Sequence, residues 1–233
     1  MQMRTSQSTY SISLAGLSLA KVDAALAALP ATGHIDQINW PKDYPAAPET
    51  TFTLAHTDEM LFVRFEVKGE VPLATKTNDL EHVNEDACVE IFIANADNTR
   101  YWNFEFNAAG VCNASSRKSR KEDVIRLNAE QLQSIQRYAQ SPIANRKSLS
   151  LKGEAEGASW SLLVGIPFSL IELDLSRERA RRANLYKCGD KTPNKHYASW
   201  NPIEAPAPAF HLPEFFGEIQ LLTPDSRIPT QKS

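Results

Sequence analysis

The sequence predicts an all-β fold: an antiparallel β-sandwich of the immunoglobulin or jelly-roll kind with a few short helices. Three observations lead there. Apolar and polar residues alternate with period two over several short runs. Asn, Asp, Gly and Pro separate those runs, with 14 prolines and 9 glycines among 233 residues. Few stretches carry the 3.6-residue periodicity of an amphipathic helix.

Taken in order, the N-terminal segment to about residue 39 is expected to be extended, apart from one short helix. That helix is the alanine-rich Ser18–Leu29, which Pro30 stops. Thr51–Ala55 is the first strand. In Met60–Val67, Leu61, Val63, Phe65 and Val67 share one face, and Arg64 and Glu66 share the other. Cys88–Ala94 turns Val89, Ile91 and Ile93 inward. Tyr101–Asn107 is the cleanest case, with Trp102, Phe104 and Phe106 opposed to Tyr101, Asn103, Glu105 and Asn107. Val111–Ala114, Ser148–Lys152, Ser159–Ile166, Arg182–Lys187 and Gly217–Leu222 complete the expected strands. Asn128 is placed to cap Ala129–Gln133, with Gln131 closing a capping box. Phe168–Leu173, after Pro167, reads as one or two helical turns. The polar tail Pro224–Ser233 is expected to fray, and no linker or repeat divides residues 1–233, which read as one domain.

Composition excludes several classes. A net charge of −3 with interspersed signs builds no field to gather nucleic acid or an anionic membrane. The basic run Arg117–Lys121 is followed at once by Glu122 and Asp123 and reads as a solvated loop, with phosphate binding as the alternative. Cys88, Cys112 and Cys188 are odd in number, widely spaced and without a CxxC partner, which argues against a zinc site or a disulfide framework. Cys88 and Cys112 read as buried; Cys188 reads as the exposed one. The five histidines are scattered, and no GxSxG or glycine-rich phosphate cradle occurs. With no signal peptide and no apolar span in the sequence as written, the cytoplasm is the expected location.

What remains is a constellation suited to sugars. Three proline-broken strips near the C-terminus, Asn184–Asp190, His196–Pro202 and Phe210–Glu218, gather Tyr186, Tyr197, Trp200, Phe210 and His211 beside Asn and Asp. On the polar faces of the two clearest strands stand Glu90, Glu105 and Asn107. Carboxylates and amides bind vicinal hydroxyls with two oriented partners each, and an aromatic ring covers a sugar's C–H face. A polar outer face is also what any sandwich requires. The same carboxylates, or Glu85 and Asp86, allow a glycoside hydrolase in principle, although no apolar niche around one carboxyl is evident.

From about Trp40 to Leu222 the chain resembles the family 9 carbohydrate-binding modules and their DOMON-like relatives. The residues that carry the likeness are Leu54–Val67, the run Glu85-Asp-Ala-Cys-Val-Glu-Ile-Phe-Ile, Tyr101–Asn107 and Ser199-Trp200. Asn184–Asp190 and Pro213–Glu218 look like a bacterial subgroup of stand-alone or enzyme-linked domains. The resemblance implies a β-sandwich without catalysis, a carbohydrate partner, a place in polysaccharide utilisation with xylan among the ligands, and structural calcium. In that family two tryptophans sandwich a terminal sugar while Glu, Arg and Asn bind its hydroxyls. By position, Glu90 takes the glutamate's role, Asn107 the asparagine's, and Trp200 forms one aromatic wall. Asn184 and Tyr186 then lie at the rim.

This chain departs from the pattern twice. Asn84 stands where the second tryptophan falls, and Glu105 where the arginine falls. Trp40, Tyr186, Tyr197 or Phe210 are the candidates for a replacement wall. Those departures also admit a second reading: a degenerate sandwich that serves as a structural or protein-interaction module.

Overall fold

The computed structural model describes residues 6–11, 16–141, 158–177 and 180–222. The expected strand Ser148–Lys152 and the tail Pro224–Ser233 lie outside the described residues. In chain order the described strands are β1 (Ser6–Ser8), β2 (Tyr10–Ser11), β3 (Gly33–His34), β4 (Glu49–His56), β5 (Met60–Lys68), β6 (Cys88–Ala94) and β7 (Tyr101–Asn107). They continue as β8 (Cys112–Arg117), β9 (Ile125–Arg126), β10 (Gln136–Gln140), β11 (Ser159–Pro167), β12 (Ala180–Cys188), β13 (Tyr197–Ser199) and β14 (Gly217–Gln220). Two α-helices, α1 (Leu19–Ala27) and α2 (Ala129–Ser134), and three single 3-10 turns accompany them.

Two sheets result. The first runs β1-β14-β12-β6-β7-β8-β9, with β13 also on β12; the second runs β10-β11-β5-β4-β2, with β3 also on β4. The alternation in the sequence sets which residues lie between them. Leu61, Val63, Phe65 and Val67 of β5 and Leu162, Val164 and Ile166 of β11 meet Val89, Ile91 and Ile93 of β6 and Trp102, Phe104 and Phe106 of β7. All are buried, and each large side chain contributes about 1.5–3 kcal/mol by leaving water.

The expectation of an antiparallel sandwich holds for most of the pairs, with two exceptions. β1 runs parallel to β14, and β2 runs parallel to β4. Between them the Thr9 amide donates to the Gln220 carbonyl. The N-terminal stretch thus lies along one sheet and then the other, pairing backbone groups that an open edge would leave exposed. Periodicity could not announce strands of two or three residues, so β1, β2, β3, β9 and β13 were not expected.

α1 covers the outer face of the second sheet. Its Val22 and Leu26 pack on Ala55, Phe62 and Leu163, while its buried Asp23 accepts from Arg64 Nε at 3.0 Å. α2 has the expected capping box: Asn128 Oδ1 accepts from the Gln131 amide, and Gln131 Oε1 accepts from the Asn128 amide, each at 2.9 Å.

The outer face of the first sheet is not the open polar surface that alternation suggested. Phe92, Ala94, Tyr101 and Tyr186 on that face join Trp40, Ile203 and Phe216 in a separate apolar cluster. The proline-rich segment from Ile203 to Phe216 lies over it. One part of the face remains uncovered, and it forms a cleft.

Candidate functional site

The cleft has a volume of about 340 Å³. Its floor is laid by register. Glu90 on β6 stands directly opposite Glu105 on β7, and on its other side opposite Tyr186 on β12. Asn113 of β8 is in turn opposite Glu105. Because side chains alternate along a strand, all of these leave the core face together.

The two carboxylates are held differently. Glu105 accepts from Asn103 Nδ2 and Asn113 Nδ2, each at 2.9 Å. Glu90 accepts from the thiol of Cys188 at 3.2 Å and makes a longer contact of 3.8 Å with Cys88. Burial raises the pKa of Glu90 well above the usual carboxylate range, and the neighbouring Cys188 and Glu105 add to it. Burial also raises that of Glu105, against the opposing effect of its amide donors and of Arg117. The charge of Glu105 is thus one of the effects that disfavour a second negative charge on Glu90.

Around this floor stand two unlike walls. Arg117, Arg120 and Arg126 form one. Arg117 is half-buried and donates through Nε to Ser115 Oγ at 3.2 Å, so the run expected to be a solvated loop reaches into the cleft. Tyr197, Phe210 and His211, all half-exposed, supply the aromatic lining. His211 is pushed down to about 3 by burial and by Arg117 and Arg120, so it is neutral at physiological pH. Its Nδ1 lies 3.1 Å from the Tyr101 hydroxyl.

The third side is a polar clamp. Asn84 Nδ2 donates to Asp190 Oδ2 at 2.8 Å, and the Tyr197 hydroxyl donates to Asp190 Oδ1. Backbone bonds from Asp190 N to Asn84 O and from Lys191 N to Glu85 O fix the loop after β12 against the turn before β6. Gly189 begins that loop, and a Cβ there would lie 2.6 Å from Thr192 Oγ1 and 2.8 Å from the His196 ring. Only glycine allows so close a turn.

Of the expected site residues, the structure brings Asn84, Glu90 and Glu105 together in the cleft. It does not bring the other four there. Trp200 is the main correction. It is 3% exposed, lies in the core between the sheets and meets Phe52 edge-on at 5.8 Å. It follows β13, where the Trp200 amide bonds Leu185 O and points the indole inward. Asn107 is buried at the end of β7: it accepts from the amides of Ala109 and Val111 and donates to Asp86 and the Lys76 carbonyl. Asn184 donates to the Asn201 carbonyl and accepts from the Asn201 amide, tying the segment after β13 to β12. Tyr186 is buried beneath Phe210.

Cys188, expected to be exposed, is 2% exposed. Of the two acidic pairs in the sequence that could offer oxygens to calcium, Asp58–Glu59 and Glu85–Asp86, the second is already taken up by other partners. Asp86 is filled by donors, the amides of Thr75 and Lys76, the Thr75 hydroxyl and Asn107 Nδ2. Glu85 lies between Lys76 at 2.6 Å and Lys191 at 3.0 Å. A calcium ion needs free oxygen ligands, and these carboxylates are spent on N–H and O–H groups.

Asp190, Tyr197, Phe210 and His211 were visible in the sequence as aromatic, polar strips. Asn113 and Arg126 were not, and Arg117 and Arg120 were visible only as a basic run, because only strand register shows which surface residues share a cleft.

Comparison with known proteins adds a family. The sequence profile of carbohydrate-binding family 9 matches residues 21–221. A candidate carbohydrate-binding protein from Bacteroides uniformis superposes with a TM-score of 0.80 at 30% identity, over 94% of this chain and 100% of that one. A family 9 module from Caldicellulosiruptor kristjanssonii in complex with glucose gives 0.57 at 14% identity, over 97% and 100% of the two chains. The cellotriose complex from the same organism gives 0.58 at 13%, over 99% and 100%. At those identities the two complexes speak for the fold alone. No curated protein matches the sequence.

Proposed function

Because the chain belongs to carbohydrate-binding family 9, we propose that its cleft binds a sugar or a short oligosaccharide without cleaving it. One observation carries the reading: Glu90 and Glu105, side by side on the floor, face a half-exposed aromatic wall of Phe210, Tyr197 and His211. The floor accepts hydrogen bonds from hydroxyls, Asn113 and the arginines donate to ring and hydroxyl oxygens, and Phe210 offers a face to C–H groups. In this reading Phe210 takes the platform role expected of Trp200.

Geometry also supports binding over hydrolysis. Glycosidase carboxylates flank the scissile bond from two sides. Here both carboxylates rise side by side from directly opposed positions of adjacent strands. A sugar laid on them would have both on one side of the bond.

The test is calorimetry across neutral and uronic mono- and oligosaccharides, including glucans and xylans. Affinities in the millimolar to micromolar range are expected, since a sugar's hydroxyls must be desolvated. Phe210→Ala and Glu105→Gln are expected to weaken binding at least about tenfold with the fold retained, roughly the loss of one stacking contact. No heat with any sugar would remove the proposal. Release of reducing ends, lost in Glu90→Gln, would replace it with hydrolysis.

A further inference from the structure

Beside Glu90, on the floor of the cleft, lie two thiols that sugar binding does not use. Cys88 on β6 stands directly opposite Cys188 on β12, and Glu90 follows two residues along the same face of β6. The two sulfurs and a Glu90 carboxylate oxygen all lie within 4.8 Å of one another. That oxygen is 3.2 Å from Cys188 Sγ and 3.8 Å from Cys88 Sγ.

We propose that Cys88, Cys188 and Glu90 form a binding site for a thiophilic divalent cation of the zinc class. Three features of the structure lead to it. First, a tetrahedral ion with sulfur at about 2.3 Å and oxygen at about 2.1 Å sets its ligands roughly 3.5–3.8 Å apart. The two sulfur–oxygen separations, 3.2 and 3.8 Å, bracket that range and the sulfurs lie within 4.8 Å of each other, so small side-chain rotations complete the site. Second, Glu90 is 3% exposed, and its hydrogen bonds among the described residues come only from the two thiols. A thiol is a weak donor, so among the described residues the buried Glu90 carboxyl is left without a strong hydrogen-bond donor or a cation beside it. Glu105 beside it has two amide donors and no such deficit. Third, all three ligands project from paired central strands, which hold them with little freedom.

Two thiolates select zinc-like ions over calcium or magnesium. Binding exchanges the two thiol protons, and the Glu90 proton when it is present, for the cation; the protons leave to bulk water through the cleft. Glu90 and Cys188 both line that cleft, so an ion held there would be reached from it. The site shares Glu90 with the sugar floor, and metal retention is read with no sugar present, so failure of one reading does not decide the other.

The test uses the full chain, reduced with a phosphine and freed of metal by chelation. Dialysis against Zn²⁺ is expected to leave one ion per chain, and Co²⁺ is expected to give an intense thiolate-to-metal charge-transfer band. Cys88→Ser and Cys188→Ser each abolish both signals, and Glu90→Gln weakens retention at least about tenfold. Cys112→Ser leaves them unchanged, because Cys112 lies on the core face of β8. Should the serine variants fail to fold, the wild-type chain still decides: bound Zn²⁺ must slow alkylation of Cys188 and raise the melting temperature, both reversed by chelator. No band and no retained zinc in the reduced wild-type chain overturns the proposal. So does retention equal to wild type in the folded serine variants. Oxidation that joins Cys88 to Cys188 while the reduced chain ignores metal overturns it too, in favour of a cross-strand disulfide pair.

Discussion

The ring of Tyr186 lies under that of Phe210, with centroids 4.2 Å apart and planes 11° from parallel, and the Tyr186 hydroxyl donates to the Phe210 carbonyl at 3.1 Å. Phe210 sits in a loop between prolines, yet this stack fixes it to the central strand β12. Trp40 and Tyr197 brace it from the side at 6.3 and 6.0 Å. The cleft wall is therefore a loop residue held with the precision of a strand.

Tyr186→Phe keeps the stack and removes one hydrogen bond. A loss of about 1 kcal/mol in stability is expected, with a smaller loss in sugar affinity than Phe210→Ala causes. Denaturant melts and calorimetry on the two variants separate support from contact. Equal affinity losses would mean that Tyr186 itself meets the ligand.

Trp200→Ala should act on stability. Removing a buried indole that packs edge-on against Phe52 is expected to cost about 3–5 kcal/mol. Trp200→Phe should recover much of that cost and bind sugar as the wild type does. A folded Trp200→Phe variant with lost affinity would return this residue to the ligand site.

Asn107→Ala is expected to cost roughly 2–4 kcal/mol, since two backbone amides, a carbonyl and Asp86 all lose a partner. Any binding defect should disappear when the variant is assayed well below its lowered melting temperature. A defect that persists in the folded protein would show that Asn107 acts on the ligand as well.

A pH dependence follows from His196, which lies on the core side of β12 against Lys187. Its Nδ1 faces the Asn194 carbonyl at 2.6 Å, and its Nε2 lies 2.8 Å from the Lys187 ammonium, which can only donate. The ring is therefore neutral with its proton on Nδ1. Burial, and then the Lys187 charge, push its pKa down to about 3. The unfolded chain binds a proton near pH 6.5 and the folded chain does not until about pH 3. Stability is thus full above pH 6.5 and is lost as pH falls through that window, by up to ~1.4 kcal/mol per unit. His196→Gln should be less stable at pH 7 but fall less steeply between pH 6.5 and 4. Parallel curves would assign the acid sensitivity elsewhere.

Much of the fold was legible because alternation is a local property. Cys88–Ala94 and Tyr101–Asn107 were bounded as they occur, and the capping box at Asn128 formed as its residues require. The site was legible in part. Glu90 and Glu105 belong to strands whose outward face the alternation defines, and both reach the cleft. Trp200 was misplaced because its motif identifies a position in the chain, whereas the turn after β13 decides which way an indole points.

By itself the sequence determined the all-β class, the inward and outward faces of the long strands, and the family, since these follow from patterns within short stretches. Tertiary structure alone decided that Cys88 meets Cys188, that Arg117 and Phe210 line one cleft, and that the segment from Ile203 to Phe216 covers part of a sheet face. Those outcomes depend on register and on which loop packs where. Both are set by burial summed over residues a hundred positions apart, a quantity that no local pattern carries.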